Sequence, residues 1–93
     1  YSAHQDDQKE TSLSFRLKSI LVVEDTRSIQ FMLNKMLEPF TNEIVVVNNG
    51  VEALDLIHFR TDFDVILMDM QMPLMNGYEA AQQLRKQGIN IPI

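Results

Sequence analysis

Three short apolar runs limit what this chain can fold into. Ser19-Ile20-Leu21-Val22-Val23, Glu43-Ile44-Val45-Val46-Val47 and Phe63-Asp64-Val65-Ile66-Leu67-Met68 are rich in β-branched residues and apolar at successive rather than alternate positions. That pattern suits strands covered on both faces, as in a parallel sheet. Between the first two runs the period changes. Ile29, Met32, Leu33, Met36 and Leu37 fall at i, i+3, i+4, i+7 and i+8, the inward stripe of an amphipathic helix that starts near Thr26 and ends at Pro39. After the second run the turn Asn48-Asn49-Gly50 leads into a helical stretch over 51–59, with Ala53, Leu54 and Ile57 inward. A third helix runs from Gly77 through Lys86 and stops at Gly88, a natural left-handed C-cap. Ile91-Pro92-Ile93 reads as the opening of a fourth strand. Strands alternating with helices of about ten residues imply right-handed crossovers, hence an α/β fold with a parallel sheet covered by helices on both faces.

With 93 residues there is room for one small domain, and such a domain buries only about 60 to 65 % of its unfolded surface. Residues 1–18 are polar and mixed in charge, so they read as a linker, with a domain over 19–93. The formal charge of −5, with only eight scattered Lys and Arg, argues against a nucleic-acid footprint. Lack of cysteine rules out thiolate chemistry and disulfides and agrees with a cytoplasmic setting. No apolar run approaches the roughly 18 residues that cross a bilayer, so no membrane contact is expected. The start Tyr1-Ser2-Ala3-His4 is unlike a signal peptide, and the absence of an initiator Met suggests a piece of a longer protein.

Acid marks the ends of two strands. Glu24 and Asp25 leave the first and Asp69 leaves the third. In open α/β sheets the ligand site lies beyond the carboxyl ends of the strands. If the first and third strands are neighbours, these carboxylates converge and repel one another unless a cation neutralises them. Mg²⁺ suits the place, since it prefers hard oxygen ligands and is commonly bound by one or two carboxylates plus phosphate. A backbone carbonyl from the following loop, that of Gln71, would add a ligand. A carboxylate so placed is a competent nucleophile toward a phosphoryl group on a good leaving group.

The segments Ile20-Leu21-Val22-Val23-Glu24-Asp25, Asn49-Gly50-Val51-Glu52-Ala53-Leu54 and Asp64-Val65-Ile66-Leu67-Met68-Asp69-Met70-Gln71-Met72-Pro73-Leu74-Met75-Asn76-Gly77 resemble the receiver domains of two-component response regulators, in order and in spacing. The wording around Asp69, with Gly77-Tyr78-Glu79-Ala80, is most similar to receivers fused to hybrid sensor histidine kinases. The resemblance implies a flavodoxin-like doubly wound parallel sheet, reaching here only the start of the fourth strand. It implies Asp69 as phosphoacceptor, Glu24, Asp25, Asp69 and the Gln71 carbonyl around Mg²⁺, and a histidine kinase or histidine phosphotransfer protein as donor. A receiver promotes its own phosphorylation and dephosphorylation at most. The family's Thr or Ser after the fourth strand and Lys after the fifth fall past Ile93. Asn76 stands where Asp is commoner, a change that a turn accepts. With little of a fourth strand, the apolar edge over 65–68 would be a template for another chain, so an edge-paired or strand-exchanged dimer is a further expectation.

Plainer readings compete. An acidic pair after a strand can serve as a helix N-cap, and Asp25 or Thr26 could do so for the first helix; the matching acid at Asp69 favours the metal. The six methionines are most simply core and loop filling. His4 and His58 have no second imidazole at ligand spacing. Arg27 and Arg60 read as solvated charges, although Arg27 lies near enough to the acids to touch a phosphate. A dehalogenase-like phosphatase would want a second Asp two residues past Asp69, where Gln71 stands. A flavodoxin-like cofactor binder would want a phosphate loop where Glu24-Asp25-Thr26-Arg27 would repel one. The alternative that survives is a receiver-like interaction or assembly module that does not turn over phosphate.

Overall fold

The computed structural model describes residues 16–69 and 75–93. Three parallel strands, β1 (Leu17–Val23), β2 (Thr41–Val47) and β3 (Val65–Met68), form a sheet in the order β2-β1-β3. The strands alternate with the helices α1 (Arg27–Leu37), α2 (Gly50–Phe59) and α3 (Gly77–Lys86), and a 3₁₀ turn (Glu38–Phe40) carries Pro39 between α1 and β2. Each strand begins or ends within two residues of the run that forecast it. β1 starts at Leu17 because Arg16 is already tied down, its guanidinium donating to the carbonyls of Pro39 and Thr41 and to Asn42.

The central strand is buried on both faces, from Ile20 to Val23. One face packs Leu21, Val23 and Ile66 against Ala53 and Ile57 of α2, Leu84 of α3 and Phe63. Truncating one of the larger of these to Ala would cost about 2–5 kcal/mol, a large share of a domain stability of about 5–15 kcal/mol. α1 lies on the other face. Its apolar stripe is only partly covered, with Ile29 36 %, Met32 49 % and Met36 59 % exposed and Leu33 and Leu37 half-buried. The stripe has the right period, but three strands offer a helix on that face little beyond its Leu33 and Leu37 side to pack on. It therefore buries less than its pattern forecasts.

Local signals place the helix ends. Asn49 accepts the Glu52 N–H at 2.9 Å and caps α2. Asn76 accepts the Glu79 N–H at 2.9 Å while the Glu79 carboxylate takes the Asn76 N–H at 3.3 Å, a reciprocal capping box at the start of α3. Asn at position 76 thus fills the cap that its turn asks for. At the far end Gly88 has φ +82°. The Gly88 N–H reaches the Arg85 carbonyl and the Ile89 N–H reaches Leu84, a Schellman stop that folds Ile89 back onto the core.

Residues 91–93 take no regular strand form, yet the Ile66 N–H donates to the Pro92 carbonyl at 2.8 Å. Arg85 holds this segment by donating to the carbonyls of Ile89 and Ile91. The outer edge of β3 is therefore met first by the chain's own end, and the expected edge-paired dimer gains no support from the described residues.

At the amino end of the sheet, Arg60 donates to Glu43 at 2.6 Å and to Asp62 at 2.8 Å, bonds the Ser19 hydroxyl, and lies 4.5 Å from the centre of the Phe63 ring. Ser19 in turn donates to Glu43 at 2.7 Å. Arg60 is thus more than the solvated charge its sequence context suggested. Hydrogen bonds from Arg60 and then Ser19 hold the Glu43 carboxyl below the usual carboxylate range, and the bonds from Arg60 do the same for Asp62.

Two outcomes follow from this packing. Because both carboxyls titrate lower when folded than unfolded, their contribution is present above the ordinary carboxylate range and fades as the pH falls through their lowered values. Acid unfolding followed by circular dichroism should show a shallower pH dependence in Glu43→Gln than in the wild type, with the gap narrowing in high salt because these groups are partly exposed. Gly50 sits against the start of α3, where an added Cβ would meet the Met75 carbonyl oxygen at 2.8 Å and the Ala80 Cβ at 3.1 Å. Ala normally favours a helix by about 1 kcal/mol, but overpacking costs about 1–3 kcal/mol. Gly50→Ala should therefore destabilise the fold in urea titration.

Candidate functional site

Strand register brings the acids together. Val23 pairs with Val47 on one side and Met68 on the other, so Glu24 and Asp69 are the next residues on two adjacent parallel strands. The backbone continues this pairing past the strand ends. Asp69 donates its N–H to the Val23 carbonyl at 3.0 Å, and Glu24 donates to Val47 at 3.1 Å. Glu24, Asp25 and Asp69 each offer a carboxylate oxygen, and these three atoms lie within 4.8 Å of one another. Glu24 is buried, Asp69 half-buried and Asp25 exposed, so the cluster runs from the sheet edge out to water.

The rest of the local structure holds Glu24. One of its carboxylate oxygens accepts the Thr26 N–H at 3.0 Å, which uses only part of the acceptor capacity of a carboxylate. Its carbonyl accepts the side-chain amide of Gln30, which also donates to Asn48 at 2.9 Å. Asn48 is fixed in turn by the Glu52 carboxylate, which takes its backbone N–H at 2.7 Å. A chain of polar contacts thus links the exits of β1 and β2 through α1 and α2.

The capping alternative is not what forms. Thr26 occupies the N-cap of α1 without a side-chain cap bond, and Asp25 lies ahead of that position. Arg27 opens α1 on the exposed surface, close in sequence to the acids. An apolar groove lined by Ile29, Leu33, Leu67 and Ile93 opens onto Glu24 and Asp69. Of the residues expected at the site, Glu24, Asp25 and Asp69 come together, whereas Gln71 lies outside the described residues. Gln30 was missed. Its place among the helix positions carries no period or motif that marks it, and only the fold shows that it faces the strand exits.

Three hard oxygen donors so close together form a set that a small divalent cation fits and that softer metals would not prefer. Without a positive partner, like charges at this spacing are unfavourable. The arrangement can therefore present a carboxylate beside a cation at an open rim, the chemistry of accepting a phosphoryl group. Among the described residues no helix is long and apolar enough to cross a membrane.

Comparison with known proteins places the chain in a family. Residues 20–93 match the response regulator receiver domain family. The chain is 42 % identical over 73 residues to two-component response regulator 24 of Arabidopsis thaliana, covering 78 % of this chain and 52 % of that protein. Among solved structures, the receiver domain of the histidine kinase CKI1 from Arabidopsis thaliana, complexed with Mg²⁺ and BeF₃⁻, aligns with a TM-score of 0.78 at 32 % identity, covering 85 % of this chain and 64 % of that one. The receiver domain of the sensor histidine kinase PA1611 from Pseudomonas aeruginosa PAO1, with a magnesium ion coordinated in its active-site cleft, aligns with a TM-score of 0.71 at 30 % identity, covering 77 % of this chain and 58 % of that one. The chain spans about half the length of the curated relative and under two thirds of these solved chains.

Proposed function

This chain belongs to the response regulator receiver domain family, and from that premise we propose that Asp69 is the phosphoacceptor of a two-component phosphorelay, served by Mg²⁺ held among Glu24, Asp25 and Asp69. The observation that carries the reading is the convergence of the three carboxylates within 4.8 Å at the carboxyl end of the sheet. Support also comes from two solved receiver domains, that of CKI1 complexed with Mg²⁺ and BeF₃⁻ and that of PA1611 with a magnesium ion coordinated in its active-site cleft.

In this mechanism a carboxylate oxygen of Asp69 forms a bond to phosphorus as the bond from phosphorus to the imidazole nitrogen of a phosphohistidine donor breaks. The electron pair of the broken bond leaves on the imidazole, and an acyl phosphate remains on Asp69. A cation held there would supply positive charge toward the transferring oxygens. Glu24 and Asp25 would hold it, and the pairing of β1 with β3 keeps Asp69 in reach. A histidine kinase or a histidine phosphotransfer protein is the donor on this reading.

The test is direct. Incubated with Mg²⁺ and acetyl phosphate, the chain should gain the mass of one phosphoryl group, and Asp69→Asn or chelation of the metal should abolish the gain. Unmodified wild type, or equal modification of Asp69→Asn, would overturn the assignment. The former result would favour an interaction or assembly module that does not turn over phosphate.

A further inference from the structure

Glu24 is a special position in this site because it is buried and because its own backbone leaves the sheet there. A buried carboxylate can serve a cation only if the main chain that carries it is fixed, since a displacement of about 1 Å removes a hard-cation ligand from useful range. Two backbone-level ties fix its amino side, namely the pairing of Val23 with both neighbouring strands and the Glu24 N–H donated to Val47. Its carbonyl side is held by something else, the amide of Gln30, which sits on α1 six residues later.

That amide is half-buried and spends its donors on two different elements, the Glu24 carbonyl and Asn48 at 2.9 Å. Asn48 is itself tied, since its N–H and side chain both donate to Glu52, at 2.7 and 3.3 Å, and Glu52 belongs to the first turn of the capped helix α2. Gln30 therefore transmits the position of a well-anchored helix end to the backbone of the acid pair. The neighbouring residues on α1 offer nothing equivalent, since Ile29 and Leu33 line the apolar groove and Phe31 is exposed.

We propose that Gln30 is a positioning residue for the cation site, clamping the exit of β1 to that of β2 so that Glu24 and Asp25 are held ready for the metal. This role rests on the reading of the acids as a Mg²⁺ site. Groups that orient metal ligands from behind are commonly worth about 10- to 100-fold in metal affinity. Gln30→Leu keeps the bulk of the side chain and removes the donors. Asn48→Ala removes the acceptor.

The experiment is a Mg²⁺ titration by calorimetry on the full chain, the two single variants and the double variant, with amide NMR spectra recorded on the metal-free proteins. Each single variant should bind Mg²⁺ about tenfold more weakly. The double variant should be no weaker than the weaker single, because both substitutions break one link. Thermal midpoints without metal should stay close to that of the wild type, which a merely structural role would not allow. In the metal-free spectra the Thr26 and Asn48 amides should shift in Gln30→Leu while those of β3 and α3 stay put. Wild-type affinity in Gln30→Leu, or strictly additive losses, would overturn the clamp. A wild-type chain that takes up no Mg²⁺ would instead overturn the site reading, and this role with it; a shift of the two amides would then mark the tie as structural only.

Discussion

The pairing of β1 between β2 and β3 is the constraint on which the site depends. Val23 is held from both sides, so the next residue on β1 and the next on β3 must emerge side by side. The apolar runs behind Glu24 and Asp69 bring the two acids side by side. Burial of Ile20, Leu21, Val22 and Val23 in the middle strand and of Ile66 in its neighbour provides the driving force, and the acids are carried to the rim by it. Slipping β3 by one residue would move Ile66 out of the core and part Asp69 from Glu24 in the same step. Fold and site share one register.

The two ends of the sheet carry different groupings of charge. At the amino end Glu43 and Asp62 are answered by Arg60 and the charges are satisfied within the chain. At the carboxyl end three acids stand within 4.8 Å of one another, and Arg27, the nearest cation in sequence, lies on the exposed start of α1. Like charges held that close repel one another, and a cation among them would relieve the repulsion. The carboxyl end stays open toward water through Asp25.

How far the sequence foretold this differs by type of signal. Strand runs and helix periods are dense local patterns, so β1 to β3, α2 and α3 follow from them almost to the residue, and Gly88 marks the end of α3 because only a residue tolerant of positive φ stops a helix in that way. Acids at strand ends were also legible, since their positions follow once the strands are placed side by side. Arg60 and Gln30 were not. Each works through contacts across 17 to 41 residues or through a bond to backbone, and neither has a period or motif to announce it. The coverage of α1 was overestimated for a related reason, because an apolar stripe reports what a helix is able to bury and not the surface its neighbours present.

That last point bears on how the site is held. α1 has no buried residue, and Phe31, Met32 and Met36 are at least half-exposed or close to it. Helices with few buried apolar contacts open at lower free energy than the core around them. Yet α1 begins two residues after Asp25 and carries Gln30, so any loosening of this helix reaches the acid pair at once. A polar tie is well suited to that situation: apolar burial fixes a helix to a surface with little directional preference, whereas an amide donating to both a carbonyl and a side-chain oxygen specifies one position along the strand exit. The weaker the packing of α1, the more the geometry of Glu24 depends on that bond and on the Thr26 N–H that takes up one of its carboxylate oxygens. Precision at this rim therefore comes from hydrogen bonds laid across a lightly packed helix, while the core behind Val23 and Ile66 supplies the stability that lets such a helix be used.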